Sequence, residues 1–204
     1  MGMGLGLGLG LGLGMNNYSR PPVYGNGGPE LLLQAELVVT GPKTAEGLLV
    51  KAAAYPWFEI VEHLRRDPKF LHEFSQAPRR FEEFIAACYE RQGFDEVVLT
   101  PQRGDRGRDV IAIKKGYGSV RFLEQAKAYS PGHLVTHNDV RAMLGTLATD
   151  ARASKGIITT TSDFQPGIRK EGSEFAPFLP HRLELKNGAE TLEWLTNLRS
   201  DTNT

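Results

Sequence analysis

Apolar residues recur every three or four positions in several stretches of this 204-residue chain, and they alternate with polar residues or form short runs in others. The first pattern is typical of amphipathic helices and the second of strands. Pro68 and Pro78 suit the first turns of two helices, and Gly93 suits a helix end. Helices are predicted at 57–66, 69–76, 78–92, 138–154 and 188–199, a broken helix at 164–175, and strands at 31–40, 96–100, 109–114, 120–127, 156–161 and 181–186.

The order of these elements predicts an α/β fold with a mixed central β-sheet flanked by helices. Residues 30–77 are expected to form an N-terminal arm and a helical lead-in, and residues 78–204 the main domain. Before them, Gly alternates with Leu and Met up to Met15, and a Gly- and Pro-rich stretch follows. Because glycine at every second position disfavours regular structure, residues 1–29 are expected to be a disordered tail and linker.

Composition and charge limit the classes of function. The 24 basic and 24 acidic residues give a formal net charge of zero, which argues against a protein that coats nucleic acid by charge alone, although one face can still be basic. The single cysteine, Cys88, excludes an intramolecular disulfide and a cysteine-based zinc site. The N-terminal repeat is too short and too rich in glycine for a membrane span. We therefore expect a cytoplasmic protein that does not contact a membrane.

Three kinds of polar side chain are predicted to meet at the end of one β-hairpin. Asp109 begins the first strand of this hairpin, and Gln125 and Lys127 end the second. Residues two apart on a strand point to the same face, so Gln125 and Lys127 project together and the hairpin can bring Asp109 beside them. Carboxylate and amide oxygens suit Mg²⁺, and an ammonium stabilises a developing oxyanion. Glu124 is a rival ligand, but strand alternation points it to the opposite face.

The D…QxK pattern of this hairpin, together with three other segments, resembles the Mrr-like branch of the PD-(D/E)XK nuclease superfamily, in which Gln replaces the second acidic residue. The resemblance covers about residues 54–198. It implies a restriction-endonuclease-like core and a Mg²⁺-dependent endodeoxyribonuclease, with Mn²⁺ as a possible substitute, that acts in type IV-like restriction of foreign or modified DNA. The matching segments are Phe81-Glu82, the loop 100–109, Gln125-Ala126-Lys127 and Gly156–Phe164.

The same resemblance assigns roles to individual residues. Glu82 would hold Lys127 or ligate the metal through water, with its neighbour Glu83 as the alternative. The catalytic residues would be Asp109, Gln125, Lys127 and Glu82, and the metal ligands would be Asp109, Gln125 and the backbone carbonyl of Ala126.

Residues around the hairpin are candidates for DNA contact. Arg103, Arg106 and Arg108 lie in the Gly-rich loop that leads to Asp109. Guanidinium groups beside a metal site bind phosphate well, so we expect DNA contacts from these arginines, with ordinary solvated arginines as the alternative. Tyr129 is expected to stack on a base or a sugar, and packing in the core is the alternative for this ring.

The expected partner is double-stranded DNA. Cutting both strands with one such site normally needs two copies, so a homodimer or larger assembly on DNA is expected. Two other functions remain open. A non-catalytic DNA-binding or assembly module could keep the fold, although the intact D…QxK pattern argues against it. A junction or repair nuclease would share the chemistry and differ in the shape of its substrate.

Overall fold

The structure, a computed structural model, describes residues 29–198 except Arg103, Asp105, Arg106 and Tyr117. It contains a seven-stranded sheet in which the strands lie side by side in chain order. The strands are β1 (Val38–Lys43), β2 (Leu48–Ala53), β3 (Glu96–Leu99), β4 (Val110–Lys115), β5 (Ser119–Lys127), β6 (Lys155–Thr160) and β7 (Leu183–Lys186). The helices are α1 (Tyr55–Arg66), α2 (Pro78–Arg91), α3 (His137–Thr149) and α4 (Gly188–Asn197), with 3₁₀ segments at Pro29–Gln34, Pro68–Gln76 and Ala176–Phe178.

The sheet is mixed, as predicted. Strands β1 to β5 pair antiparallel, and β6 and β7 then add to β5 in parallel. The helix α3 connects β5 to β6, which is the kind of crossover that a parallel pair requires. The predicted α/β fold with a mixed central sheet and flanking helices is therefore confirmed.

Apolar side chains cover both faces of the sheet. On one face, the helix α2 buries Phe81, Phe84 and Ile85 in a core that α1 and α4 also join. On the other face, Val140 and Met143 of α3 pack with side chains of the strands β4, β5 and β6. Cys88 is fully buried on the α2 side, and this burial raises the pKa of its thiol.

The N-terminal arm is part of the same sheet. The sequence predicted one strand at 31–40, whereas the structure has a 3₁₀ turn followed by the hairpin of β1 and β2, and β2 pairs with β3. Leu37 and Trp57 lie in the same buried cluster as Phe81. Residues on both sides of the predicted boundary at 77 therefore share one core.

The prediction of a broken helix at 164–175 is wrong, because this segment is a series of turns. Pro166 lacks the backbone N–H that a helix interior needs, and Gly167 and Gly172 adopt φ angles of 97° and 81°. The apolar spacing that suggested a helix still marks burial, since Phe164 and Phe175 both lie in the core on the α3 side.

Gly47, in the turn between β1 and β2, lies directly against the backbone at the end of β3. A Cβ there would lie 2.2 Å from the carbonyl oxygen of Leu99, and the φ angle of Gly47 is +153°. Because backbone atoms of β3 cannot move aside cheaply, we expect Gly47→Ala to lower the free energy of unfolding by about 2–4 kcal/mol. Chemical denaturation measures this change.

Gly116, in the turn between β4 and β5, is the matched control. A Cβ at Gly116 meets no atom within 4 Å, so Gly116→Ala should change the free energy of unfolding by less than about 0.5 kcal/mol. Equal losses in the two variants would contradict the steric explanation.

Candidate active site

The pairing of β4 with β5 brings Asp109 to Gln125 and Ala126. Val110 is paired with Glu124, so Asp109, one residue before β4, lies beside Gln125. The backbone N–H of Asp109 donates to the carbonyl of Glu124 at 2.8 Å, and its carboxylate Oδ2 accepts from the backbone N–H of Ala126 at 2.8 Å. Since the N–H and C=O of one strand residue point to the same side, the carbonyl of Ala126 faces Asp109 as well.

The strand β5 divides its polar side chains between the two faces of the sheet. Leu123 packs in the core on the α3 side, and Gln125 and Lys127 follow on that face. Glu124 is fully buried on the other face, where it accepts a hydrogen bond of 2.6 Å from the hydroxyl of Tyr89. Burial raises the pKa of Glu124, although Lys186 and Tyr89 oppose the shift. The rival ligand thus points away from Asp109, as strand alternation predicted.

The side-chain oxygen of Gln125 is buried and has no hydrogen-bond partner among the described residues. Leaving a buried acceptor without a partner costs free energy, so this oxygen is suited to a ligand that supplies positive charge. Together with the Asp109 carboxylate and the Ala126 carbonyl it forms a set of hard oxygen donors. Such a set could hold Mg²⁺, which prefers oxygen ligands and keeps several waters.

Lys127 forms an ion pair with a residue that the sequence did not single out. Its Nζ lies 3.1 Å from Oδ1 of Asp139 at the start of α3, and 5.9 Å from the ring centre of Tyr129. Burial lowers the pKa of Lys127, but Asp139 and Tyr129 outweigh this effect, so the pKa is raised and the ammonium stays charged. The available signal was the spacing Thr136-x-x-Asp139, which marks a helix start.

Glu82 lies at the same edge of the sheet but on the α2 side. Its carboxylate pairs with Arg79 at 2.5 Å, and Arg79 also donates to the carbonyl of Thr100 at 2.9 Å. The hydroxyl of Thr100 in turn donates to the carbonyls of Arg108 and Asp109. Glu82 is therefore connected to the backbone that carries Asp109, while the carboxylate that pairs with Lys127 is Asp139.

Comparison with known proteins shows the family. The family model Mrr_cat, described as a restriction endonuclease, matches residues 74–195, more than half of the chain. The chain belongs to this restriction endonuclease family. The resemblance seen in the sequence is thereby confirmed.

Two solved structures are similar to this member of the Mrr_cat family. One is a DNA modification-dependent restriction endonuclease, AspBHI, at 20% identity and a TM-score of 0.48, covering 71% of this chain. The other is the MspJI restriction endonuclease in complex with a 27-mer oligonucleotide, at 20% identity and a TM-score of 0.39, also covering 71%. The chain spans about a third of the length of these two proteins, 36% and 32%.

Comparison with curated proteins finds no match. Within residues 29–198, apart from the four undescribed positions, no helix of this Mrr_cat family member is long and apolar enough to cross a membrane.

Arg108, predicted to contact DNA, is instead held inside this Mrr_cat domain. Its side chain is only 10% exposed, and its guanidinium pairs with Asp150 at 3.0 Å and with Glu46 at 3.2 Å. A guanidinium held by two carboxylates is not available to a phosphate, so the predicted contact at Arg108 is wrong. Arg103 and Arg106 lie outside the described residues. The Tyr129 ring is half-buried and stacks on His133 with ring centres 4.0 Å apart.

A buried ion cluster fixes the loop that leads to Asp109. It consists of Glu46, Arg108, Arg121 and Asp150. Arg121 is 4% exposed and lies 2.6 Å from Glu46 and 3.1 Å from Asp150. Glu46 lies outside the segment that matches the Mrr_cat model, so the N-terminal hairpin stabilises the Mrr_cat segment. Burial raises the pKa of Asp150, but the charge and hydrogen bonds of Arg121, together with Arg108, lower it overall.

Asp150→Ala should lower the free energy of unfolding of this family member by about 3 kcal/mol, because two buried guanidiniums would be left with Glu46 alone. Denaturant unfolding at pH 7 measures the loss. Asp150 stabilises the fold only in its charged form. Because its pKa is lowered in the folded protein, this stabilisation is fully present above the ordinary Asp pKa of about 3.9 and is lost as the pH falls through the lower pKa of the folded state. The difference between parent and variant should therefore narrow below about pH 4.

The ion pair between Arg141 and Glu174 provides the control. These side chains are 52% and 49% exposed, so Glu174→Ala should change the free energy of unfolding by less than about 1 kcal/mol. A pH-independent loss in Asp150→Ala would show that the carboxylate charge is not the stabilising feature.

Proposed function

We propose that this protein is a metal-dependent endonuclease that hydrolyses phosphodiester bonds of double-stranded DNA in the restriction of foreign or modified DNA. The observation that carries the proposal is the buried, unpartnered oxygen of Gln125 beside Asp109. It lies on the same strand face as the charged Lys127 in a chain of the restriction endonuclease family.

The metal would be held by the carboxylate of Asp109, the side-chain oxygen of Gln125 and the carbonyl of Ala126. When bound, Mg²⁺, or Mn²⁺ in its place, would polarise the scissile phosphate and lower the pKa of the attacking water. Among the described residues there is no group of three or more His, Cys, Asp or Glu side chains that could hold a metal. An amide oxygen carries less charge than a carboxylate, so we expect weaker Mg²⁺ binding than at a site with two carboxylates.

Lys127 would stabilise the negative charge that develops on phosphate oxygens in the transition state. Its side chain is 20% exposed, so the ammonium is largely shielded from water but reachable from the site. The hydrogen bond from the Ala126 N–H fixes the orientation of the Asp109 carboxylate. Glu82, connected to the Asp109 backbone through Arg79 and Thr100, would support the position of the catalytic loop.

DNA would be bound at this edge of the sheet. Arg103 and Arg106 precede Asp109 in a loop rich in glycine, and their guanidiniums would contact phosphates. Tyr129 follows Lys127 by two residues and would contact a base or sugar. Because one site cuts one strand, we propose that a homodimer or larger assembly forms on double-stranded DNA.

A cleavage panel tests the proposal. The substrates are plasmid, methylated plasmid and branched DNA, each with Mg²⁺, with Mn²⁺ and with a chelator. Metal-dependent cutting of a duplex supports the proposal, and comparison of the two plasmids decides whether modification is required. Cutting of branched DNA alone would indicate a junction nuclease. Binding without cleavage in every metal condition would overturn the nuclease assignment.

Lys127→Ala should slow cleavage by at least about 10²–10³, the usual worth of an electrostatic group aimed at developing charge. DNA affinity is spread over many phosphate contacts and should change little, so the loss falls on the rate. Single-turnover cleavage and a DNA-binding titration separate the two quantities.

Lys155→Ala is a matched control, because Lys155 is also a strand lysine, 23% exposed, with an ion pair of 2.8 Å to Glu184 of β7. Lys155 begins β6, whereas Lys127 pairs with Thr160 at the opposite end of that strand. It should cleave like the parent. A folded Lys127→Ala protein that cuts DNA at the parental rate would remove Lys127 from the mechanism.

Gln125→Glu should retain cleavage and bind Mg²⁺ more tightly, because the new carboxylate places a charged oxygen where the amide oxygen lies. Without metal, two carboxylates in one site repel each other, so the melting temperature should fall and should recover as Mg²⁺ is added. Titration calorimetry and thermal unfolding measure these effects. A folded variant that binds Mg²⁺ but does not cleave would assign Gln125 to the substrate instead.

A further inference from the structure

Hydrogen bonds fix the backbone of Lys127 in position. The carbonyl of Lys127 accepts hydrogen bonds from the hydroxyl of Thr160 at 2.8 Å and from the N–H of Thr161 at 3.1 Å. These bonds fix where the side chain starts but not where it ends, because a lysine carries its ammonium on a flexible four-carbon stem. A group that must meet developing charge at one point needs a second restraint at its end.

Asp139 supplies that second restraint with one of its two oxygens. Its Oδ2 accepts from the backbone N–H of Thr136 at 2.9 Å and from the Thr136 hydroxyl at 2.7 Å. Its Oδ1 lies 3.1 Å from the Nζ of Lys127. The capping box of α3 uses Oδ2 alone, so the helix start does not explain the contact that Oδ1 makes.

The carboxylate of Asp139 is itself held in place. Val140 and Met143, which follow it on α3, are fully buried against the sheet. The capping box then fixes the first turn of the helix, and Asp139 is about one-fifth exposed, as is Lys127. The ion pair therefore joins two rigid elements, β5 and α3, across the face that carries Gln125.

We propose that Asp139 is the positioning residue for Lys127: it holds the ammonium at the catalytic edge of the sheet, so that DNA cleavage depends on Asp139 although Asp139 contacts neither metal nor substrate. This inference rests on the proposed nuclease function. A flexible ammonium misplaced by about 1 Å can cost about 10² in rate, which sets the size of the expected effect.

Asp139→Asn tests the role of Oδ1, which faces Lys127, apart from the role of Oδ2 in the capping box. The asparagine keeps one carbonyl oxygen for the Thr136 N–H and replaces the oxygen that faces Lys127 by an NH₂ group, which cannot accept from an ammonium. We expect single-turnover cleavage to fall about 10- to 100-fold. DNA affinity should stay the same or rise slightly, since the variant removes a negative charge from a DNA-binding surface.

Glu190→Gln is the matched control. Glu190 has the same position in the capping box of α4, where it accepts from the backbone N–H of Asn187 at 2.8 Å and pairs with Arg169. The substitution removes the same charge from the same kind of helix start without touching Lys127. Its cleavage rate should equal that of the parent, and an equal loss in both variants would overturn the proposal in favour of a structural role.

A double-variant cycle tests whether Asp139 acts through Lys127. If it does, adding Asp139→Asn to Lys127→Ala should slow cleavage no further. Asp139→Glu should recover part of the rate, because it restores a carboxylate. If Asp139→Asn does not fold, Asp139→Ser takes its place, since a hydroxyl can still accept from the Thr136 N–H.

The outcomes distinguish this inference from the proposed function. Parental cleavage by Asp139→Asn together with slow cleavage by Lys127→Ala overturns the positioning role and leaves the nuclease intact. Faster cleavage by Asp139→Asn also overturns it, because the ion pair would then hold Lys127 away from the reaction. Parental cleavage by Lys127→Ala overturns the proposed role of Lys127 and the inference with it.

Discussion

The register between β4 and β5 is the constraint on which the candidate site depends. With Val110 opposite Glu124, the carboxylate of Asp109 reaches the N–H of Ala126. A slip of one residue would exchange the two faces of the strand. Gln125 would then enter the α2 core, and Glu124 would take its place beside Asp109. The apolar residues of β5 oppose such a slip, because Leu123 would leave the core on the α3 side.

Neighbouring polar side chains on the two faces of β5 lie in different environments. Glu124 is fully buried with the Tyr89 hydroxyl as its hydrogen-bond donor, and burial raises its pKa, which favours the neutral acid. One residue further on, Gln125 offers an uncharged oxygen that lacks a described partner. An amide is uncharged at neutral pH, so the site avoids placing a second carboxylate beside Asp109 when no cation is present. Two residues further along this face Lys127 is charged, and Asp139 balances that charge.

Much of the fold and part of the site are predictable from the sequence because they depend on local pattern. Strand alternation separates Glu124 from Gln125, and the hairpin turn brings Asp109 close to Gln125. The burial of Arg108 is not predictable in this way, since its partners Glu46 and Asp150 lie 62 and 42 residues away in the chain. The same applies to Asp139, whose contact with Lys127 depends on how α3 packs after a loop.

The ion cluster around Arg108 and Arg121 gives the N-terminal hairpin a part in the behaviour of the catalytic loop. Glu46 reaches both arginines from the turn between β1 and β2, and β2 covers β3 along its length. A protein cut to residues 74–195 would expose β3 as an edge strand, with unpaired N–H and C=O groups open to association with other chains. It would also leave two buried guanidiniums short of a carboxylate next to Asp109. The structural unit that supports this site therefore extends beyond the segment by which the family is recognised.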